Sequence, residues 1–533
     1  MSRKIVGMLV STAVLVGGLY LLVCPHGPAP TAAIAGEPTP GEALYTRHCA
    51  PCHGEKGDGN GPASKYLYPR PRNYTKGLFK LHTTPSGQLP TDDDLFRTIS
   101  NGMPGSGMPS FAWLAETDRR ALVSQVKALS SWTDEDTGET INHFADRGQP
   151  PTQDIGTAPP SSPEAVARGK EVYTKLQCFN CHGQTGKGDG PSAIGQTDSW
   201  GFPAVPRDFT TGVNRGGGTD ADLYYRFTVG MPGTPMPAFS QVSDDERWDL
   251  VHYVQSLRRA DSKPWTTPAD GTLHVLRRPE PIPVGDAWGK MWEEVPSASF
   301  SLFPLWQKGN NPSHVRVRAV HDGKTVAVLM EWDDPTLNAE AVMTKHFVDA
   351  GAVMFSLLPD PPFLGMGEST RPCIIWNCRG DTLRDQLLFV DMEAVFPAMV
   401  ADWYPMQFPD YRDTAGDVLP TSRHDPAFMS GWGAGNPISN PVRLDPSAAM
   451  QARGFGTLET AGKERQIVKA SGGWRNGTWR MCFSRSMAAP VPEDVGFTPG
   501  TVGHTAFAVW DGALEDRNGQ KSVSGWCKMS FDP

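Results

Sequence analysis

The sequence predicts a multidomain protein: an N-terminal membrane helix, two all-α domains and a C-terminal mainly-β sandwich. Three observations support this order. An uncharged apolar run occupies residues 5–23, two later segments repeat one another, and alternating strand-like patterns dominate beyond about residue 285. The predicted boundaries are 1–35 for the leader, 36–132 and 163–260 for the helical domains, 133–162 and 261–284 for linkers, and 285–533 for the β domain.

The leader is the run IVGMLVSTAVLVGGLYLLV, which follows Arg3 and Lys4. Its length is close to the roughly 20 residues that span a bilayer as a helix. The basic flank should stay in the cytoplasm, so the remainder is expected on the periplasmic side, anchored to the cytoplasmic membrane. Ala33-Ile34-Ala35 offers a cleavage site, so a removed signal peptide stays open as the alternative.

The charge balance excludes one class of partner. The chain has 49 Lys and Arg against 58 Asp and Glu, a net charge of −9. Nonspecific nucleic-acid binding needs a basic surface that replaces the counterions of the phosphates. We therefore expect no nucleic-acid partner.

Two segments of the chain resemble each other. The first contains CAPCHGEKGDGNGP and later NGMPGSGMPSF; the second contains CFNCHGQTGKGDGP and later VGMPGTPMPAF. His53 and His182 lie 129 positions apart, and Met108 and Met236 lie 128 apart. This near-constant offset indicates a duplicated domain.

Each copy predicts a helix before the cysteine motif and another after the methionines. The preceding helices are expected around 41–49 and 163–178. Leu122, Val126 and Leu129 recur on one helical face in the first copy, as do Leu250, Val254 and Leu257 in the second. Ser243 and Glu246 have the spacing of a capping box at the start of the latter helix.

The two CxxCH motifs predict covalently attached haem. A c-type haem needs two cysteines at a fixed spacing for its thioether bonds, and the adjacent histidine ligates the iron. Cys49, Cys52 and His53 form the first motif. Cys178, Cys181 and His182 form the second. A zinc site would need a second Cys or His pair at ligand spacing nearby, and neither copy has one.

The second axial ligand of each haem c is expected to be a methionine. The first copy offers Met103 or Met108, and the second offers Met231 or Met236. The repeats resemble class I cytochromes c, whose ligand methionine lies in an MPxF-like turn late in the domain. That resemblance favours Met108 and Met236. With His/Met ligation the iron has no open position, so these domains should carry electrons without binding substrate.

The C-terminal part predicts β structure. VRVRAV and TVAVLMEW read as two alternating strands joined by the Asp322-Gly323 turn. Two further strand-like segments, QIVKAS and GTWRMCFSR, are bounded by the turn signals Gly472-Gly473 and Asn476-Gly477. HTAFAVWDG is another predicted strand. Helical periodicity is sparse, which favours a β-sandwich.

The last 60 or so residues carry a second resemblance. WRMCFSRSM, FTPGTVGHTAFAVWDG and DRNGQKSVSGW are similar to the haem b γ-subunits of periplasmic molybdenum enzymes of the DMSO reductase family. That group includes ethylbenzene dehydrogenase, dimethylsulfide dehydrogenase, chlorate and selenate reductases, and nitrite oxidoreductase. The resemblance implies a β-sandwich that holds one noncovalent haem b between a lysine and a methionine. Lys521 matches the lysine and Met366 best matches the methionine.

Four further cysteines lie in the β region. An oxidising compartment permits disulfides, and proximity along the chain favours Cys373–Cys378 and Cys482–Cys527. Four buried thiols are the alternative.

Together these features predict an electron-transfer γ-type subunit, not an enzyme, with two haems c and one haem b. Its expected partners are the iron–sulfur and molybdopterin subunits of a DMSO reductase-family complex. At the other end of the electron route, the expected partner is a soluble cytochrome or a terminal oxidase. Among the family, the nitrite oxidoreductase type is preferred, because oxidising a high-potential donor needs high-potential acceptors. The alternatives are a free-standing multihaem cytochrome, a ligand-binding sandwich fused to cytochromes, and a dihaem peroxidase.

Overall fold

The computed structural model describes residues 38–258, 271–308, 311–341, 343–356, 358, 361, 372–383, 445–454 and 456–533. The predicted membrane helix and Met366 lie outside these residues, so both stay predictions. Across the described ranges, no helix combines the length and the apolar character that a membrane span requires.

The first helical domain surrounds the first CxxCH motif. Leu122 and Val126 of the predicted apolar stripe are buried on its last long helix, and the third member, Leu129, is partly buried against the same core. Thr91 caps the preceding helix through a reciprocal capping box with Asp94. The elements are α1 (Pro40–His48), α2 (Ala50–His53), α3 (Asp92–Asn101) and α4 (Glu116–Leu129).

The first half of the segment predicted as the first linker has regular structure. It forms a two-stranded hairpin, β1 (Ser131–Thr133) with β2 (Thr140–Asn142), and the short helix α5 (His143–Arg147). Phe144 is buried in the core of the first domain. The Gln153 N–H donates to the Thr83 carbonyl at 2.8 Å. The Pro- and Gly-rich composition therefore marks a connection that packs along the domains it joins.

The second helical domain repeats the first. Ser243 and Glu246 form the predicted capping box, and Leu250 and Val254 are buried as expected. Thr219 and Asp222 form another box that matches the one in the first copy. The elements are α6 (Pro163–Lys175), α7 (Phe179–His182), α8 (Asp220–Val229) and α9 (Asp244–Ser256).

The C-terminal region is mainly β, as predicted. Its strands hydrogen-bond in the order β11-β10-β9-β8-β14-β16-β3-β6-β7-β13-β12, with β4, β5 and β15 attached at the side. They are β3 (Thr272–Arg277), β4 (Ala298–Ser301), β5 (Phe303–Pro304), β6 (His314–His321), β7 (Thr325–Asp333), β8 (Ala350–Ser356), β9 (Cys373–Arg379), β10 (Ser447–Ala452), β11 (Glu459–Thr460), β12 (Lys469–Arg475), β13 (Thr478–Ser486), β14 (Val502–Trp510), β15 (Ser522–Val523) and β16 (Cys527–Phe531).

The sheet curls into two facing layers. A Cβ on Gly351 of β8 would lie 3.1 Å from Met481 of β13 and 3.2 Å from Trp332 of β7. Those strands are far from β8 in the hydrogen-bonding order, so the contact is made across a core. Val353, Phe355 and Phe483 belong to that same core. The arrangement fits the predicted sandwich.

Two details of the β region differ from expectation. Strand β3 lies inside the segment predicted as the second linker and occupies a central place, parallel to both β16 and β6. Gly472 and Gly473 lie within β12, not at a turn. Glycine is needed at position 472 because a side chain there would collide with the Arg480 carbonyl of β13. The Asn476-Gly477 turn does join β12 to β13, with both residues at positive φ.

The expected disulfides are wrong. All four cysteines of the β region are buried thiols. Cys373 and Cys378 lie at the two ends of the single extended strand β9, an odd number of residues apart, so their side chains point to opposite faces. Cys482 and Cys527 lie on β13 and β16, which three other strands separate. Neither expected pair is joined in the structure.

Candidate haem-binding sites

The first CxxCH motif lies in a short helical turn at the mouth of a cavity. The His53 N–H donates to the Cys49 carbonyl at 2.8 Å, which presents both cysteines and the histidine to one side. The volume of the cavity, including the space at its opening, is about 900 Å³. Its lining includes Met103, Met108 and Tyr74.

His53 is oriented for metal binding. Its Nδ1 lies 2.9 Å from the Arg72 carbonyl, and its ring stacks on Tyr74 at 4.8 Å between centroids. A carbonyl can only accept, so Nδ1 carries the proton and Nε2 keeps its lone pair. Burial lowers the pKa of His53 to about 4, so the imidazole stays neutral.

The second motif repeats this geometry. His182 Nδ1 lies 3.1 Å from the Arg207 carbonyl, and its ring stacks on Phe209 at 4.3 Å. Burial lowers the pKa of His182 as well. The hydroxyl of Tyr173 donates to the Gly183 carbonyl at 2.7 Å, as Tyr45 does to Gly54 in the first copy. The cavity beside it encloses about 1860 Å³ with its mouth.

The methionines of each copy lie on a tight turn that faces the cavity. The N–H of Met103 donates to the Met108 carbonyl at 3.0 Å, and Met231 does the same with Met236 at 3.1 Å. Gly102 ends α3 at positive φ, and a Cβ there would lie 2.7 Å from the Met108 carbonyl oxygen. Only glycine permits this close approach.

Both methionines of each pair line their cavity. The structure therefore brings together all the predicted ligands of each haem c, including Cys178, Cys181 and Met236 in the second copy. It does not separate Met108 from Met103, or Met236 from Met231. The choice of Met108 and Met236 stays a prediction.

The residues present fit an attached haem. Burial raises the pKa of Cys49 and Cys52 to about 12, so both are neutral thiols in an apolar wall. A neutral thiol suits addition to a haem vinyl group, whereas a zinc site would need thiolates and further donors. When bound, each haem supplies a one-electron carrier.

In the β domain, Lys521 lies beside Trp510, with its Nζ 4.6 Å from the ring centroid. Burial lowers the pKa of this lysine to about 8. Within the part of the chain that the structure describes, no carboxylate forms an ion pair with it. A lysine that loses its proton readily and has no anionic partner fits the role of an iron ligand. Its expected counterpart, Met366, lies outside the described residues.

Sequence reasoning missed two charged clusters. One is a set of cations between the two haem cavities, which includes Lys80 and Arg215. The other is a buried carboxylate cluster formed by Asp334, Asp349 and Asp511, whose oxygens lie within 4.8 Å of one another. Their members are scattered along the chain and carry no local motif, so only tertiary structure could have found them.

Three family models match different parts of the chain. Cytochrome c oxidase, cbb3-type, subunit III matches residues 36–124, and Cytochrome c matches 166–258. Ethylbenzene dehydrogenase matches 406–522. The matched ranges coincide with the duplicated helical domains and the second half of the β region.

A protein from Haloferax mediterranei, named as a respiratory nitrate reductase haem subunit, is 23% identical over 263 residues. These are 49% of this chain and 71% of that protein. A solved chain of the reducing HAO-like protein complex of Kuenenia stuttgartiensis is 46% identical, with 42% of this chain and 97% of that chain covered and a TM-score of 0.39.

A family 9 carbohydrate binding module from Caldicellulosiruptor kristjanssonii, solved with cellotriose, is 8% identical. It covers 49% of this chain and 93% of its own, with a TM-score of 0.23. Neither superposition is close enough to support an argument about this chain. Together the family models identify the chain as a fusion of two cytochrome c domains with a domain of the ethylbenzene dehydrogenase family.

Proposed function

We propose that this chain is the electron-transfer γ-type subunit of a periplasm-facing molybdenum oxidoreductase complex. It carries two haems c and one haem b and passes electrons between an iron–sulfur subunit and a cytochrome or terminal oxidase. Catalysis is assigned to a separate molybdopterin subunit. The observation that carries this proposal is the direct contact between the first haem c cavity and the segment of the β domain that holds Lys521.

That contact consists of two backbone hydrogen bonds. Leu67 lines the first haem cavity, and the adjacent Tyr68 N–H donates to the Leu305 carbonyl at 2.8 Å. The Leu305 N–H in turn donates to the Lys521 carbonyl at 2.9 Å. Two residues, Tyr68 and Leu305, and two hydrogen bonds separate the cavity-wall residue Leu67 from the proposed haem b ligand. A short bonded route of this kind suits electron transfer between two fixed carriers.

Apolar packing holds the same contact together. Phe303, Leu305 and Val523 of the β domain are buried in the core of the first cytochrome domain. The second cytochrome cavity adjoins the first, because Pro69, Lys80 and Arg215 line both. The route therefore runs from haem b through the first haem c to the second.

Within the molybdenum family we assign the nitrite oxidoreductase type, with the N-terminal segment anchoring the subunit to the cytoplasmic membrane. Methionine ligation raises haem potentials, which suits electrons that leave a high-potential donor towards an oxidase. The relative named as a respiratory nitrate reductase haem subunit belongs to the same nitrogen-oxide chemistry.

A haem count tests the proposal. A pyridine haemochrome assay on the purified chain should give two haems c and one noncovalent haem b. Replacing Lys521 with Ala should lower the content or the potential of haem b and leave both haem c spectra unchanged. The matched control is Lys528→Ala, since Lys528 is an exposed lysine on β16. Two haems c without haem b, or a haem b indifferent to Lys521→Ala, would contradict it.

A further inference from the structure

The two haem c cavities share a wall. Pro69, Lys80 and Arg215 line both the cavity beside His53 and the cavity beside His182. Lys80 comes from the first cytochrome domain and Arg215 from the second, so each domain contributes one cation to the boundary. The wall therefore belongs to both sites.

This wall is strongly positive. Arg72 lies on the first cavity, and Arg207 and Arg226 lie on the second. Their mutual repulsion shows in the pKa values. Burial and then the neighbouring Arg72 and Arg215 charges lower the pKa of Lys80 to about 7. Burial and then Arg207 lower that of Arg215 to about 10.

The polypeptide neutralises these charges only in part. Asp198, which lies on the second cavity, raises the pKa of Lys80 and of Arg72 against the larger opposite effect of burial. Throughout the described ranges, no carboxylate lies within ion-pair distance of any of the five cations. Arg215 donates to the Gln307 amide oxygen, a neutral acceptor. Its buried Nε has no hydrogen-bond acceptor, and neither does the buried Nη1 of Arg72. Arg226 donates only to the carbonyls of Lys80 and His82.

Cations withdrawn from water without counter-ions are unfavourable in proteins. Arg226 is buried, and the other four are partly buried. The cost is offset if an anion occupies the space they face. That space is the cavity in which each CxxCH motif would attach a haem. A haem carries two carboxylate groups as propionates. Two attached haems would therefore bring four carboxylates to the two cations of the shared wall and the three that lie on one cavity or the other.

We propose that Lys80 and Arg215 form one binding site for the propionates of both haems c, which places the two haems side by side across a common wall. This inference rests on the proposed function, since it needs both haems c. Bound in this way, the two haems would exchange electrons without an intermediate carrier, and the positive charges of Lys80 and Arg215 would raise the reduction potential of both irons.

The potentials of the two haems test the shared wall. In the full-length chain with both haems attached, Lys80→Met should favour the oxidised form of both haems c, because the oxidised iron bears the greater positive charge. We expect each reduction equilibrium constant to fall about tenfold, the effect of one unit charge at about 12 Å in a protein-like dielectric. Lys80→Arg should restore both values, and Arg215→Met should act in the same direction.

The control is Lys76→Met, an exposed lysine in the same domain with no effect expected. A shift confined to one haem, or no shift, in a protein that keeps two haems c would overturn the shared wall. A wild-type chain with fewer than two haems c would instead defeat the proposed function. The haem count therefore tells the two failures apart: the proposed function fails if the count is below two, and the shared wall fails if the count is two but the potentials do not shift together.

Circular dichroism tests the adjacency separately. Two haems close together should give a split, two-signed band in the Soret region. The double variant Cys178→Ala/Cys181→Ala, which removes the second attachment, should convert it to a single band. An unsplit band in the wild type would overturn the side-by-side arrangement.

Discussion

At the scale of single residues, the haem ligands depend on groups that the CxxCH pattern does not contain. His53 and His182 each have Nδ1 bonded to a backbone carbonyl some 20 residues away, from Arg72 and Arg207. These bonds leave Nε2 as the ring nitrogen that is available to bind an iron. The motif predicts the ligand, but its orientation depends on a loop whose position the pattern does not specify.

Substitution of the methionines would decide the sixth ligand of each haem c. Met108→Ala and Met236→Ala should each lower the potential of one haem, because a soft thioether stabilises Fe(II). The matched controls are Met103→Ala and Met231→Ala, which line the same cavities. Potentiometric titration of each variant measures the effect. A large drop in Met103→Ala with none in Met108→Ala would reverse the assignment in the first domain.

At the scale of elements, local signals predicted the strands and caps well. The alternating VRVRAV and TVAVLMEW runs are β6 and β7, paired antiparallel across the Asp322-Gly323 turn. Strand β3 was missed because TLHVLR is short and follows a Pro-rich stretch, and its place comes from parallel pairing with distant strands. The carboxylate cluster is also a product of pairing. Asp334 follows β7, Asp349 precedes β8 and Asp511 follows β14.

This cluster should make the β domain less stable as pH rises. Burial and mutual repulsion raise the pKa of Asp349 and of Asp511 to about 7. The folded state then binds more protons than the unfolded state between about pH 4 and 7, so the free energy of unfolding falls across that window. Chemical unfolding of the full chain at several pH values, followed by tryptophan fluorescence, measures this trend.

Removing one carboxylate of this cluster should reduce the loss of stability at high pH. Asp334 Oδ2 is buried and has no hydrogen-bond partner among the described residues. Asp334→Asn removes one of three crowded charges and should stabilise the domain at pH 8 by about 1–3 kcal/mol. The exposed Glu493→Gln serves as the control. A variant less stable than the parent at pH 8 would contradict this account.

At the scale of the whole molecule, residues Pro40–Pro533 form one compact unit. The first cytochrome domain shares its core with Phe303, Leu305 and Val523 of the β domain. It also touches the second cytochrome domain, where the Tyr68 hydroxyl donates to the Pro203 carbonyl at 2.5 Å. The three parts are therefore held in mutual contact by packing and not by linkers alone.

Disrupting the first of these interfaces should interrupt the electron route. Leu305→Asp places a charge in an apolar contact, which is costly unless the charge is paired. We expect at least a tenfold slower transfer from haem b to the haems c, with the haem content unchanged. Stopped-flow reduction monitored in the c-type bands measures the rate. The control is Leu337→Asp, at a leucine that is 54% exposed. Equally slow electron transfer in this control would contradict the proposed route.

By itself the sequence predicted the haem attachment sites and determined the duplication and the mainly-β character of the C-terminal region. These depend on short spacings and periodic patterns that any local segment carries. Only the tertiary structure decided that both haem cavities share Lys80 and Arg215, that Leu305 bonds to both Tyr68 and Lys521, and that the four cysteines of the β region stay apart. Such contacts join residues more than a hundred positions apart, and strand order and domain packing, not local pattern, bring them together.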